Sequence, residues 1–511
     1  MLADARVLLA LALLLPSPLG GQAARGDSLG LLEAVNVALA SSPRIESARQ
    51  EVSASRGGVL VAGAPFDPQL RTFMGSTRES AFDVPGEGGA AADVLETTST
   101  YGVSLAKRFR WGLTLAPELQ GARLGGSAFG AGASNTARAG LGATLPLLRG
   151  RGRVGALGER AAEGSHRAAL QGLRHAAAEA TLAAVGAYWD YRAAAERLAV
   201  YVESEGRARR LVDETRVLVQ AEERPPSDLN PLLANQGSRS ATRIAAEQEV
   251  VEARHRLGLA LGLPVGRIAA LPPPASDFPA PAAGDTAAAD AGALAALAAE
   301  RRADLAAVRE DRRSAELLLR GAEDGRRSRL DLVADVGYTG ALPGDGVDRL
   351  FRPFYGSLSG WTAGVELSYA PGATDRAARG RAAQGRALLA QSDLAAAELL
   401  REVESAVRVA ASAAAHARQE LEISEGTAAL YAASLESEKE KFRLGMSTLF
   451  EVLQAEDGLT GARVQRIGSR LRYAQAVARL RFESGTLLEW DGDAPRPGLE
   501  ALVTVPRAGG T

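Results

Sequence analysis

Residues 153–222 and 375–442 contain no proline and are rich in Ala, Leu, Arg and Glu. As helices they would each reach about 100 Å at ~1.5 Å per residue, against about 11–12 residues for an ordinary helix. A helix of that length has too little core of its own and must lie along other helices. Two shorter helical stretches follow them, at 228–262 and 447–485. One of these, added end to end to the helix that opens a half, matches one long helix. The pattern predicts a uniform bundle roughly 100 Å long.

The chain of 511 residues repeats this plan twice. Residues 29–64 and 291–327 both read as helices, and a shift of 260 places Ile45 on Leu305, Arg49 on Arg309 and Leu70 on Leu330. Each is followed by a strand region (about 66–148 and 329–371), a long helix, a turn and a shorter helix. The expected organisation is a segment 1–23, a first repeat 24–263, a Pro/Ala-rich linker 264–290, a second repeat 291–487 and a tail 488–511.

Both strand regions alternate. Leu330, Leu332, Ala334, Val336 and Tyr338 form one series, and Ala363, Val365, Leu367 and Tyr369 another. In the first half Val103, Leu105 and Phe109, then Leu113, Leu115 and Leu119, then Leu141, Ala143 and Leu145 mark three strands, with Leu70–Gly75 a weaker fourth. Segments of this kind suit a transmembrane β-barrel or a soluble antiparallel sheet. Of 24 aromatic residues, seven lie in 66–146 and six in 338–369. About five would fall there by chance, and interfacial girdles would concentrate them. Phe73, Tyr101, Phe109, Trp111, Phe351, Phe354, Tyr355, Trp361 and Tyr369 are the candidates. Four to six strands cannot close a membrane barrel, which starts at about eight, and an open edge in lipid is prohibitive. Strands placed in a membrane would therefore belong to a barrel shared by several chains.

Composition removes other classes. Lys plus Arg is 59 and Asp plus Glu 61, so no basic excess points to nucleic acid. No cysteine is present, which excludes thiolate metal sites and Cys nucleophiles. Four scattered histidines give no metal-ligand spacing. Gly150-Arg151-Gly152-Arg153-Val154-Gly155 is formally G-x-G-x-x-G, but no returning parallel strand or acidic partner follows at the distance a dinucleotide site needs. None of Lys107, Lys439 and Lys441 follows a glycine, so no phosphate-binding loop of the G-x-x-x-x-G-K type exists. No catalytic motif or cofactor is expected. Val7–Leu15 is an apolar run after Arg6, broken by Pro16 and Pro18 and followed by Gly21-Gln22-Ala23. It reads as a secretory signal peptide cleaved near Ala23.

Ser28–Val52, Leu145–Arg153 (LPLLRGRGR) and Lys441–Arg463 (KFRLGMSTLFEVLQAEDGLTGAR) resemble segments of the TolC family of outer-membrane channel-tunnels. The resemblance implies a mixed fold, a membrane β-barrel joined to a long α-helical coiled-coil barrel. It implies a homotrimer sharing one 12-stranded barrel, four strands per protomer, above a 12-helix periplasmic tunnel. It further implies outer-membrane lipid around the barrel, a periplasmic adaptor (membrane fusion) protein at the tip, and an inner-membrane transporter that supplies the energy for efflux or type I secretion. Residues 97–122 add an apparent hairpin to the family plan, as an extension or as an enlargement of the barrel. A periplasmic coiled-coil adaptor without a membrane barrel is the alternative reading, and an exported enzyme lacks its catalytic residues.

In the second turn, Phe442-Arg443-Leu444-Gly445-Met446-Ser447, Gly445 suits the positive φ that ends a helix and Ser447 suits a cap. By resemblance, Arg443, Leu444 and Gly445 form the adaptor-contact tip. The first turn, Glu222–Asn230, lacks Arg-x-Gly. Its Asn230-Pro231 suits an N-cap followed by proline at the first helical position. The resemblance also implies acidic rings facing the tunnel just past the second turn. Glu451 and Gln454 hold those positions here, and Asp228 stands at the comparable place in the first half. A ring of converging carboxylates attracts cations.

Overall fold

A computed structural model describes residues 28–83, 92–126, 133–282, 290–344, 352–355, 358–372, 375–492 and 494–507. The segment expected as a signal peptide lies outside them. The chain forms two compact units, and each takes segments from both halves of the sequence. The repeats are therefore interleaved rather than folded as separate bodies.

The helices begin with α1 (Leu31–Ser41) and α2 (Pro43–Gly63), where one helix was expected over 29–64. Ser42 is extended before Pro43, as a residue preceding proline must be. The second half breaks its opening helix at Arg302, between α6 (Ala291–Arg301) and α7 (Ala303–Asp324). The long helices are α3 (Leu157–Gln220) and α8 (Arg376–Arg443), and their shorter followers are α4 (Leu229–Ala260) and α9 (Leu449–Glu483). A four-residue helix α5 (Val265–Ile268) lies after α4.

The first unit comprises the described residues within 1–46, 176–301 and 404–511. Its helices pack along seams of small residues. Val407, Ala410, Ala414, Ala417, Leu421, Ser424, Ala428 and Leu435 of α8 are all buried. Their alternating steps of three and four, with one step missing, follow the 3.5-residue period of a coiled coil. Trp189 and Tyr188 of α3 are fully buried. The Tyr188 hydroxyl donates to the Leu29 carbonyl at 2.9 Å and accepts from the Ser276 N–H at 2.8 Å. Phe278 stacks on Trp189 at 5.3 Å between ring centres, with the Arg470 guanidinium 5.2 Å from its own centre. Residues 264–282, which with Asp290 are the described part of the stretch 264–290 expected as linker, thus contribute to this core through Ile268 and Phe278. Their prolines stiffen a docked segment, and Pro274 forms a bridge with Leu29.

The second unit comprises the described residues within 47–175 and 302–403. It holds one six-stranded antiparallel sheet: β1 (Gln69–Asp83), β2 (Ala92–Arg108), β3 (Thr114–Gly126), β4 (Ser134–Pro146), β5 (Arg329–Pro343) and β6 (Leu358–Ala370), side by side in chain order. The expectation of four strands per protomer is corrected to six. The apparent hairpin at 97–122 is β2 and β3, hydrogen-bonded between β1 and β4 and turning at Phe109–Leu113. The weak strand at Leu70–Gly75 is a full 15-residue strand. Where the sheet passes into α3, Gly150 and Gly152 adopt φ of 81° and 68°. The Gly150 N–H donates to the buried Asp324 carboxylate at 2.7 Å. These glycines supply the left-handed positions in the passage from β4 to α3, which is the use the G-x-G pattern has here.

The strands of the two halves correspond. β1 and β5 are both 15 residues long and lie 260 apart, while β4 and β6 are both 13 residues long and lie 224 apart. The second half has no counterpart of β2 and β3 among the described residues. That hairpin accounts for the change in offset, so it is an insertion in the first repeat.

Candidate functional site: the sheet faces and the helical tip

Alternate residues of a strand point to opposite faces, and the pairing registers connect one face across all six strands. One face carries Leu70, Met74, Val103, Leu105, Leu115, Leu119, Leu141, Leu145, Leu330, Leu332, Val336, Val365 and Leu367. Its aromatic residues sit in two rows. Tyr338 pairs with Trp361 in one, with Tyr101 close by on the next row, and Tyr369 pairs with Leu330 in the other; Phe354, in a 3-10 turn before β6, lines a cavity with Tyr101 and Phe73. The two rows are about eight residues apart along β5. At ~3.3 Å per residue and a tilt near 40° that is roughly 20 Å, close to the apolar band of a membrane barrel. Trp111 and Phe109, 6.1 Å apart, occupy the turn between β2 and β3. Of the other aromatic candidates, Phe351 and the Tyr355 side chain lie outside the description, and Phe73 belongs to the opposite face, over Gly102.

That opposite face is polar and rich in glycine. Arg138 stands between Glu118 at 3.5 Å and Asp335 at 4.0 Å, joining β3, β4 and β5. Gly140, Gly337 and Gly364 lie beneath the Glu118, Arg138 and Asp335 side chains, so a Cβ there would collide with them or crowd them. Among the described residues, no helix is long and apolar enough to cross a membrane. The two-faced sheet is the element suited to lipid on one side and water on the other.

The turns after α3 and α8 lie together in the first unit. After α8, Gly445 takes φ 73° while the Met446 N–H reaches the Lys441 carbonyl at 2.8 Å, closing a Schellman motif. Nothing lies within 4 Å of where a Gly445 Cβ would be, so conformation rather than space calls for glycine. After α3 the Glu223 N–H reaches Leu218 at 3.0 Å, and Glu222 holds the left-handed position with φ 61°. The two turns share one geometry although only one contains glycine. Arg224 bridges them, with its guanidinium 5.1 Å from the Phe442 ring centre and an ion pair to Asp228 at 3.6 Å. Arg443 is exposed and pairs with Glu440 at 3.7 Å, and Leu444 is exposed.

The cap of α9 is Thr448 rather than Ser447. The Thr448 hydroxyl accepts from the Glu451 N–H at 3.4 Å, and the Glu451 carboxylate accepts from the Thr448 N–H at 2.7 Å, a capping box. Ser447 lies between the carboxylates of Glu438 and Glu451. The Thr448 N–H and the Ser447 and Thr448 hydroxyls hold the Glu451 carboxyl below the usual carboxylate range. Ser447 and Lys441 do the same for Glu438. Glu451 and Gln454 are both exposed, three residues apart. Asp228 sits in a short 3-10 turn, Pro226–Asp228, and α4 follows it with no side-chain cap, so Asn230-Pro231 falls inside the first turn of α4 rather than at its boundary. Two exposed apolar residues join Leu444 at this tip and escaped sequence reasoning: Met446 and Phe450, the latter 73% exposed.

Solved outer-membrane channels share this fold at low sequence identity. The Campylobacter jejuni CmeC outer membrane channel is 14% identical with a TM-score of 0.67, over 89% of this chain and 85% of that one. The Vibrio cholerae outer membrane protein VceC is 15% identical with a TM-score of 0.66, over 89% and 96%. The open state of the Neisseria gonorrhoeae MtrE outer membrane channel is 15% identical with a TM-score of 0.62, over 89% and 88%. No protein-family model matches the sequence. No curated protein matches it either. The chain therefore has a TolC-like fold, the fold of these outer-membrane channels.

Proposed function

We propose that the protein is an outer-membrane channel-tunnel, a passive exit duct for substrates driven by an inner-membrane transporter through a periplasmic adaptor. The observation that carries this reading is the sheet, with a continuous apolar face edged by aromatic rows and a polar, charged opposite face. The fold shared with outer-membrane channels supports it. A periplasmic adaptor would leave that apolar face against water.

In this reading three chains assemble, with outer-membrane lipid against the apolar face. Arg443, Leu444 and Gly445 present the tip to the adaptor, and the exposed Met446 and Phe450 extend its apolar surface. Glu451 and Asp228 supply the acidic groups at the entrance, each already engaged within its own turn. In this reading the work of the chain is conduction, and the transporter supplies the energy.

The test is the native mass of the detergent-extracted protein together with membrane fractionation. A trimer in the outer-membrane fraction is the expected result. A soluble periplasmic monomer would overturn the reading and favour the adaptor.

A further inference from the structure

The sheet has two open edges among the described residues, β1 on one side and β6 on the other. β1 is exposed at residues 69–80 and β6 at all but one residue. Edge strands this long, with apolar residues such as Met74 and Trp361 exposed, are templates for another chain. Within lipid they must be paired.

The internal repeat says how. β4 is the first-half copy of β6, at an offset of 224, and β1 is the first-half copy of β5, at an offset of 260. The sequences agree, since Ala139-Gly140-Leu141 falls on Ala363-Gly364-Val365. The β4–β5 contact is therefore an internal copy of the contact that β6 would make with the β1 of another chain. Its register, Leu141 opposite Val336 and Ala143 opposite Ala334, is known. Carried through the two offsets, it places Val365 opposite Ser76 and Leu367 opposite Met74. Two independent features agree with this mapping. β6 and β1 run in opposite directions, as antiparallel pairing across the junction requires. Both offsets are even, so the apolar face stays continuous from one chain to the next.

We propose that β6 of one chain pairs with β1 of a second copy in the register that sets Val365 opposite Ser76, closing a barrel in which every chain contributes six strands. The proposal rests on the outer-membrane reading above and adds the contact and its register. Three copies of a six-stranded sheet close 18 strands rather than 12. Barrel diameter grows roughly linearly with strand number, so the pore would be about half as wide again as that of a four-stranded protomer.

The chain has no cysteine, so an introduced pair reports on this contact alone. The experiment places V365C and S76C in one chain and oxidises isolated outer membranes with copper phenanthroline. Non-reducing gels then give the covalent species. A ladder ending in a closed oligomer is expected, about tenfold stronger than for V365C with T72C, whose Cα atoms would be ~13 Å further along the strand and beyond the ~7 Å reach of a disulfide. The pair L367C and M74C lies in the same register and preserves the test if the first variant does not assemble. Native mass before oxidation separates the two failures. An oligomer that crosslinks in the shifted pair, at neither position, or only within one chain overturns the register and leaves the channel reading standing. A soluble monomer overturns both.

Discussion

The two halves of the chain make the same helices and differ in the sheet. α3 and α8 end in turns of one geometry 223 residues apart, at Glu222 and Gly445. α4 and α9 end 223 apart as well, at Gly262 and Gly485, with φ of 70° and 71°. Between β1 and β4 the first half carries a hairpin that has no counterpart between β5 and β6 among the described residues. Helices that must match the length of their partners hold their length, whereas a sheet can widen. It can widen only in twos, because one extra strand would reverse the direction of β4 and destroy its antiparallel pairing with β5.

Removing the insertion gives the largest expected effect. Deleting residues 92–126 leaves β1 joined to β4 by 15 residues, nearly the 14 that separate β5 from β6. The variant should still assemble in the outer membrane with a barrel about two-thirds the diameter. Polymer exclusion or direct imaging of the purified channel measures this, and an unchanged diameter would remove β2 and β3 from the barrel wall. Next in size is charge on the apolar face. Leu141→Arg should cost about 2–4 kcal/mol per chain at mid-membrane depth and reduce the assembled oligomer. Thr136→Arg, on the polar face of the same strand, should leave assembly intact. Equal losses of outer-membrane oligomer in the two variants would contradict the assignment of faces.

Much of this contrast was legible in the sequence, and the rest was hidden for physical reasons. The long helices showed as proline-free runs, and β5 and β6 as clean alternation. β1 alternates poorly because Phe73 faces the polar side while Thr72 and Ser76 face the apolar side, so hydropathy alone undervalued it. The docking of 264–282 rests on Phe278, one aromatic residue in a Pro/Ala-rich stretch, and its partner Trp189 lies far away in sequence. Of the candidate site, Gly445 announced its turn, but Glu222 did not, because a non-glycine residue at positive φ has no sequence signature. The interleaving of the two units follows from helices that continue from one to the other, which no local pattern reports.

The two tip turns offer a smaller and more selective test. A left-handed conformation costs an L-residue roughly 1–2 kcal/mol. Gly445→Ala should therefore lower stability by about 1 kcal/mol, since no neighbour obstructs the new methyl group. Glu222→Gly should raise it by a similar or smaller amount, because the strain at φ 61° is relieved at some entropic cost. Thermal unfolding of the extracted protein gives the signs. Two changes of the same sign would show that the turns are not equivalent. Export activity adds a second axis. If Arg443 and Leu444 contact an adaptor, Leu444→Asp should reduce export while leaving the melting temperature unchanged.

The smallest effect concerns Glu451, whose carboxylate completes the α9 cap and, in the proposed reading, supplies charge at the entrance. Glutamine can occupy the same place in a capping box, so Glu451→Gln removes the charge and keeps the cap, whereas Glu451→Ala removes both. The gate reading expects both variants to show weaker cation preference in a bilayer salt gradient. Faster hydrogen exchange at Thr448 and Glu451 is expected of Glu451→Ala alone. The pH dependence has a fixed sign. The folded carboxyl is held below its ordinary value by donors that favour the charged form. Its contribution is therefore present above the ordinary carboxylate range and is lost as pH falls through the depressed folded value. Acidification should loosen the turn in the natural chain and leave the glutamine variant unaffected at this position. A reversal potential that neither variant changes would leave Glu451 as a cap and move the entrance charge to other residues.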